Sequence, residues 1–211
     1  MSNMPEVIFS DGNASCMLYA SFFGNENLSM WQETLPWQQH RIRMFGKEFP
    51  EPRLTAWMGP AYRYSNIQWA ATPLSAQTAT LIQRIEEQVQ PPAQFNACLF
   101  NLYRDGQDAM GWHRDNEPEM DTRCIASVSL GDTRDFVIRH RETKEKWQIP
   151  LGHGDLLVMS RMQEDYDHAL PRRKKSNSPR LNMTFRTILQ PKKFNSFFLN
   201  KGKEADINSN R

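Results

Sequence analysis

Little in this sequence suits an oxidising or membrane setting. Cysteine is scarce: Cys16, Cys98 and Cys124 are three of 211 residues, widely spaced and odd in number. That excludes a disulfide framework and a paired-cysteine zinc pattern, and it fits a reducing compartment. Cys98 and Cys124 sit in apolar runs and read as buried thiols. No apolar run approaches the roughly 18 residues that a membrane span needs. The opening residues, Met1 to Glu6, lack the basic-then-apolar order of a signal peptide. The expectation is an intracellular protein, cytoplasmic or, in a eukaryote, nuclear, with no membrane partner. No internal repeat or low-complexity array occurs. Histidine is sparse as well: His40, His113, His140, His153 and His168 are all there are.

What is present suits one globular domain with a sizeable core. The formal charge of +2 hides an asymmetry. Residues 91–169 hold nine Lys/Arg against fourteen Asp/Glu, whereas residues 170–211 hold eleven against two. A basic C-terminal part is compatible with a polyanionic partner; the residues beyond about Phe198 read as a solvated tail.

Along the chain, Asn27 caps a short helix with apolar Leu28, Trp31 and Leu35, which Pro36 ends. The run Gln39 to Pro50 reads as a strand, a tight turn and a return, with Phe45-Gly46-Lys47 at the tip. Phe45 either folds back into the core or forms an exposed aromatic finger flanked by Arg41, Arg43, Lys47 and Arg53, able to wedge between bases. Tyr62, Arg63 and Tyr64 follow a Gly59-Pro60 turn; the two tyrosines either stack on a flat ligand or pack a sheet face. Thr72-Pro73 opens a second helix with Thr as N-cap, its inner stripe being Leu74, Thr78, Leu81, Ile82, Ile85 and Val89. Pro91-Pro92 stops it. From Phe95 the texture becomes short strands: Phe95–Tyr103, Arg123–Leu130, Phe136–His140, Lys146–Ile149, Leu156–Ser160 and Arg180–Leu189. Six strands at this spacing indicate an all-β sandwich or jelly roll. The organisation expected is an N-terminal region over 1–90 packed on a β core over 91–190, with a basic tail over 191–211, the whole forming one compact domain.

Two stretches carry chemistry. In Trp112-His113-Arg114-Asp115 the imidazole and carboxylate, two positions apart on extended chain, point to one side. Alone this H-x-D spacing is a weak signal and describes many surface hydrogen bonds. His168, in Tyr166-Asp-His-Ala-Leu-Pro171, can supply a second imidazole. Two His and one carboxylate with open positions form the facial triad of non-haem Fe(II) oxygenases. The second stretch is Arg180-Leu-Asn182-Met-Thr184-Phe-Arg186, which alternates strictly. One reading is a half-exposed strand with a solvated basic face. The other places Arg180 and Arg186 inside, where they require an anion. A dicarboxylate fits, because guanidinium binds carboxylates bidentately, and Asn101 and Tyr103 can add hydrogen bonds. A metal triad beside anchors for a small acid points to an oxygenase that uses 2-oxoglutarate.

From about Phe45 to Leu189 the chain resembles the AlkB family of Fe(II)/2-oxoglutarate-dependent nucleic-acid dealkylases. The resemblance is carried by Asn101-x-Tyr103-x-x-Gly106, Trp112-His113-x-Asp115, Ala126 to Gly131, Arg134-Asp135-Phe136, Gly154 to Met159, His168 to Pro171 and the Arg180–Arg186 strand. It implies an α+β, mainly β fold: a double-stranded β-helix (jelly roll) core with N-terminal helices and a β-hairpin nucleotide-recognition region. It implies that His113, Asp115 and His168 ligate Fe(II) and that Asn101, Tyr103, Arg180, Asn182, Thr184 and Arg186 hold 2-oxoglutarate, with O2 as the other co-substrate. It further implies oxidative demethylation of N1-methyladenine- and N3-methylcytosine-type bases, with formaldehyde released after base flipping. The branch most resembled repairs duplex DNA, with Phe45-Gly46-Lys47 as the wedge, Tyr64 stacking on the flipped base, and Tyr62, Arg63, Asn116 and Glu117 nearby. Asn116 departs from the acidic residue of that pattern. DNA with alkylated bases is thus the expected partner and RNA stays open. So do the same chemistry on RNA or protein and a non-catalytic nucleic-acid-binding module. Oligomeric state leaves no signal, and a monomer is taken as the expectation.

Overall fold

The structure, a computed structural model, describes residues 4–44, 46–64, 67–89 and 92–189. In chain order the elements are β1 (Glu6–Asp11), β2 (Ala14–Tyr19), α1 (Leu28–Thr34), β3 (Arg41–Met44), β4 (Lys47–Pro50), β5 (Leu54–Met58), β6 (Tyr62–Tyr64), β7 (Ile67–Trp69), α2 (Ala76–Glu86), β8 (Ala97–Tyr103), β9 (Met110–His113), β10 (Met120–Gly131), β11 (Arg134–His140), β12 (Lys146–Leu151), β13 (Leu156–Ser160), β14 (Tyr166–Leu170) and β15 (Arg180–Ile188). A seven-stranded sheet in the order β1-β2-β13-β10-β15-β8-β5 faces a four-stranded sheet in the order β12-β11-β14-β9. The pairings within both are antiparallel. This is the expected jelly roll, and β1, β2 and β5 complete its larger sheet.

Two apolar layers hold it together. Behind the large sheet, Trp31 of α1 and Leu81, Ile82 and Ile85 of α2 pack on Phe100, Val128, Leu130, Leu181, Met183 and Phe185. Between the sheets, Ile125, Leu157 and Met159 meet Phe136, Ile138, Ile149 and Leu151. Strand β15 is therefore covered on both faces: Arg180, Asn182, Thr184 and Arg186 are all buried. The solvated basic face is excluded and the inward-facing reading holds.

The helix starts show local chemistry at work. Asn27 caps α1, its Oδ1 accepting from the Ser29 amide at 2.9 Å. The second helix begins later than expected, capped by Ser75, whose Oγ accepts from Thr78 N at 3.1 Å. Thr72 is unavailable because its backbone exchanges two hydrogen bonds with Gly59. The predicted hairpin forms as β3–β4, with Met44 opposite Lys47 and Gly46 at φ +76° in the turn, a conformation that favours glycine. Phe45 and the tail from 190 onward lie outside the described residues.

Candidate active site

The metal triad assembles from three places. β14 pairs with β9 so that His168 lies opposite His113, their rings 4.2 Å apart at 65°. Asp115 follows β9 by two residues. One ligand atom from each of His113, Asp115 and His168 falls within 4.8 Å of the others. His113 Nδ1 donates to the Gly111 carbonyl at 2.9 Å, which leaves Nε2 as the atom with a lone pair. His168 is buried and its Nδ1 has no hydrogen-bond partner.

Electrostatics keep the ligand atoms in their metal-binding forms. Burial, reinforced by His113, pushes the His168 imidazole down to about 3. Burial also lowers His113 against the pull of Asp115. Burial would raise the Asp115 carboxyl, but the Arg186 guanidinium beside it holds it below the usual carboxylate range. Two neutral imidazoles and one carboxylate, each with a ligand atom within 4.8 Å of the others, are what a divalent cation such as Fe(II) completes.

Arg186 reaches Asp115 directly, Nη2 to Oδ1 at 2.7 Å. The Asp115 amide donates to Gln163 Oε1 at 3.0 Å. At the far end of β15, Arg180 is 2% exposed. It donates to Ser129 Oγ at 2.8 Å and lies 5.6 Å from the Tyr103 ring centre. Its Nε is buried without a partner, and no carboxylate of the described residues pairs with it. Burial lowers it to about 10. One cavity between the sheets joins the two ends, lined among others by Asn101, Tyr103, His113, Asp115, His168, Arg180, Asn182, Thr184 and Arg186. The structure thus brings every residue expected at the metal and the co-substrate into one place.

The expected base contacts are placed unevenly. Tyr62 is 2% exposed and stacked on Trp57 at 5.1 Å, so it packs rather than offering a free face. The Glu117 carboxyl, half-buried behind Asp115, is pushed up by burial and by that neighbouring charge. Asn116 is exposed. The side chains of Arg63 and Tyr64 lie outside what the structure describes.

Several residues at the site are not among those expected to touch metal or co-substrate. Arg53, expected beside the finger, is instead buried, pairing Glu51 at 2.8 Å and donating to Asn101 Oδ1 at 2.9 Å. Arg134 is 1% exposed and donates to the carbonyls of Asp105, Asp108 and Pro171. It thereby ties the loop before β9 to the segment after β14. Ser127, Ser129 and Gln163 complete the set. The two serines lie in the Ala126–Gly131 motif, but what they touch follows only from the pairing of β10 with β15. In the basic run, Arg172 and Arg173 donate to the carbonyls of Gln107 and Thr133, while Lys174 and Lys175 are exposed.

The comparisons with known proteins agree with this geometry. Residues 15–186 match the 2OG-Fe(II) oxygenase superfamily. The mouse alpha-ketoglutarate-dependent dioxygenase alkB homolog 3 is 39% identical over 167 residues, covering 73% of this chain and 58% of its own length. The human DNA oxidative demethylase ALKBH2 is 39% identical over 168 residues, covering 72% and 63%. The chain therefore spans about three-fifths of the length of these two relatives. Among solved structures, that of OsALKBH1 superposes with a TM-score of 0.58 at 16% identity, over 85% of this chain and 100% of that one, a likeness of fold. With a triad, a buried arginine strand and a family match over the same residues, this chain belongs to the 2OG-Fe(II) oxygenase superfamily and is of the AlkB type.

Proposed function

We propose that this chain is an Fe(II)/2-oxoglutarate-dependent oxidative demethylase of N-alkylated bases in DNA. The observation that carries the reading is the pairing, in one cavity, of the His113–Asp115–His168 cluster with an unpaired buried Arg180. When bound, Fe(II) with 2-oxoglutarate and O2 supplies the oxidation: 2-oxoglutarate becomes succinate and CO2, and the N-methyl group gains a hydroxyl and leaves as formaldehyde.

The chain's own residues hold and orient. His113, Asp115 and His168 would hold the metal, with Arg186 fixing the Asp115 carboxylate. Arg180 supplies the positive charge for the distal carboxylate of the co-substrate, backed by Tyr103 and Ser129. Burial between two sheets excludes water around that ion pair and strengthens it. On the substrate side, the methyl sits on the Watson–Crick edge, so the base must leave the stack. By its sequence, Phe45-Gly46-Lys47, between β3 and β4, suits a wedge, Tyr64 a stacking partner, and Glu117 and Asn116 contacts to the base. A cationic methylated base favours such aromatic and carboxylate lining. The human relative's name, DNA oxidative demethylase, supports the choice of DNA.

The test is anaerobic loading with Fe(II), then air, 2-oxoglutarate and a duplex carrying N1-methyladenine, following succinate, formaldehyde and methyl loss by mass spectrometry. Methyl loss that vanishes in His113→Ala is the expected result. Phe45→Ala should then reduce activity on duplex more than on single strands. Succinate without methyl loss would move the substrate to RNA or protein; no metal uptake and no succinate would leave a binding module.

A further inference from the structure

We infer that Arg53 is a positioning residue of the co-substrate site, setting the side-chain amide of Asn101 so that its N–H groups face the cavity. The inference rests on the proposed use of 2-oxoglutarate. It starts from donor and acceptor identity. A guanidinium has donors only. Arg53 Nε lies 2.9 Å from the Asn101 side chain, so the Asn101 atom facing it must be the carbonyl oxygen. The NH2 group is then turned the other way, toward Asn182 Oδ1 at 3.5 Å and the cavity that both asparagines line.

The far end of the array is fixed in the same sense. The Val128 carbonyl only accepts, and it faces Asn182 Nδ2 at 3.3 Å, as does Ser127 Oγ at 2.7 Å. Asn182 Oδ1 must therefore look back toward Asn101, where it also accepts from Thr184 Oγ1 at 3.0 Å. Amide flips are ordinarily assigned by choice; here an arginine at one end and a backbone carbonyl at the other leave one solution. The side-chain oxygens of both asparagines accept from protein donors, and one Asn101 N–H remains for a carboxylate.

Arg53 is itself held from outside the cavity. Glu51 pairs it at 2.8 Å, with relative side-chain exposures of 5% and 2%. Glu51 directly follows β4, and its backbone bonds His40 and Gln39 at the base of the β3–β4 hairpin. The hairpin proposed to meet nucleic acid and the amide proposed to meet the co-substrate are thus joined through two side chains.

The test is calorimetric titration of 2-oxoglutarate into protein loaded with Mn(II), a redox-inert stand-in for Fe(II) here, with Mn(II) affinity and Tm measured alongside. Arg53→Met is expected to weaken 2-oxoglutarate about tenfold, the loss of roughly one charge-assisted hydrogen bond, with Mn(II) affinity unchanged within about twofold. Arg53→Lys, which can still donate to Asn101 Oδ1, should recover part of the loss. Glu51→Gln should lower Tm yet keep 2-oxoglutarate affinity, because Arg53 still faces Asn101. Asn101→Asp, which keeps the acceptor for Arg53 but presents a second acceptor to the cavity, should bind worse than Arg53→Met. Should Arg53→Met fail to fold, Asn101→Asp and Glu51→Gln carry the test. Equal 2-oxoglutarate affinity in wild type and Arg53→Met would overturn the inference. So would a Glu51→Gln loss as large as that of Arg53→Met, or a parallel loss of metal. A wild type that binds metal but no 2-oxoglutarate would overturn the proposed function along with it.

Discussion

Arg180 and Arg186 are the same residue on the same face of one strand, and both are buried, yet they do opposite things. Arg186 has a carboxylate at 2.7 Å; Arg180 has a serine hydroxyl, an aromatic face and an unpartnered Nε. A buried ion pair is complete without a ligand. A buried guanidinium without a counter-ion is tolerable only where something else supplies the charge. On the proposed reading, the Arg186 end of the strand serves the metal ligand and the Arg180 end faces the co-substrate anion.

The sharpest break of this contrast is at the paired end. Arg186→Met leaves Asp115 buried beside two imidazoles with no cation. We expect about 3–5 kcal/mol of lost stability, the usual cost of orphaning one half of a buried pair, read by urea denaturation of metal-free protein. Stability within 1 kcal/mol of wild type would mean that Asp115 does not depend on Arg186.

At the other end the same substitution should behave differently. Arg180→Met removes an unpaired charge, so the stability of metal-free protein should hold or rise. Binding of 2-oxoglutarate to Mn(II)-loaded protein should instead fall by about 2–3 kcal/mol, some 30- to 150-fold, as for a lost charged hydrogen-bonding partner. A variant that loses stability and keeps binding would exchange the roles of the two arginines.

The same contrast explains what the sequence disclosed. The face of β15 was legible because its alternation is strict, and the two arginines with it. That one end pairs Asp115 and the other meets no carboxylate of the described residues was not legible, since the distinction depends on where β9 ends relative to β15. The strands β9 and β14, which carry both histidine ligands, did not stand out as strands. They are only four and five residues long, and polar ligand residues interrupt their apolar alternation. Thr72-Pro73 has the composition of a cap, yet α2 starts at Ala76, because the backbone of Thr72 is committed to Gly59. Arg53 looked like part of a basic surface because four cations cluster in the sequence there; its burial follows from Glu51 and Asn101, one of them 48 positions away. Strand spacing alone indicates a β sandwich or a jelly roll, and the resemblance selects the jelly roll.

The loop that closes the Arg180 end offers a smaller test. A Cβ on Gly106 would meet the Arg173 carbonyl oxygen at 1.9 Å, a backbone atom that cannot swing aside. Gly106 also exchanges backbone bonds with Ser176 and Arg173. Gly106→Ala should therefore shift this loop, at a cost of about 1–3 kcal/mol, and weaken 2-oxoglutarate more than metal. Equal weakening of both would show that the two ends of the cavity are not separable by position.

The smallest expected effect is electrostatic and lies in the same loop. Asp108 is 5% exposed; it accepts from Arg104 Nε at 2.8 Å, from Arg104 Nη2 at 2.9 Å and from the Arg104 amide at 2.9 Å. Burial would raise its carboxyl, but the Arg104 hydrogen bonds and charge, with Arg134 beyond, hold it below its ordinary value. A carboxyl lowered in the folded state contributes stability that is present above its unfolded value, near 4, and is lost as pH falls through the folded one. Because Arg104 is nearly half exposed, solvent screens the pair and the contribution should be about 1 kcal/mol. Asp108→Asn should thus be less stable than wild type at pH 6 by about that amount, and the gap should be narrower at about pH 3, below the unfolded value. Denaturant midpoints at the two pH values decide it. A gap that persists at acid pH would assign Asp108 a role through shape and hydrogen bonding alone, and would leave Arg134 as the residue that fixes the loop beside Arg180.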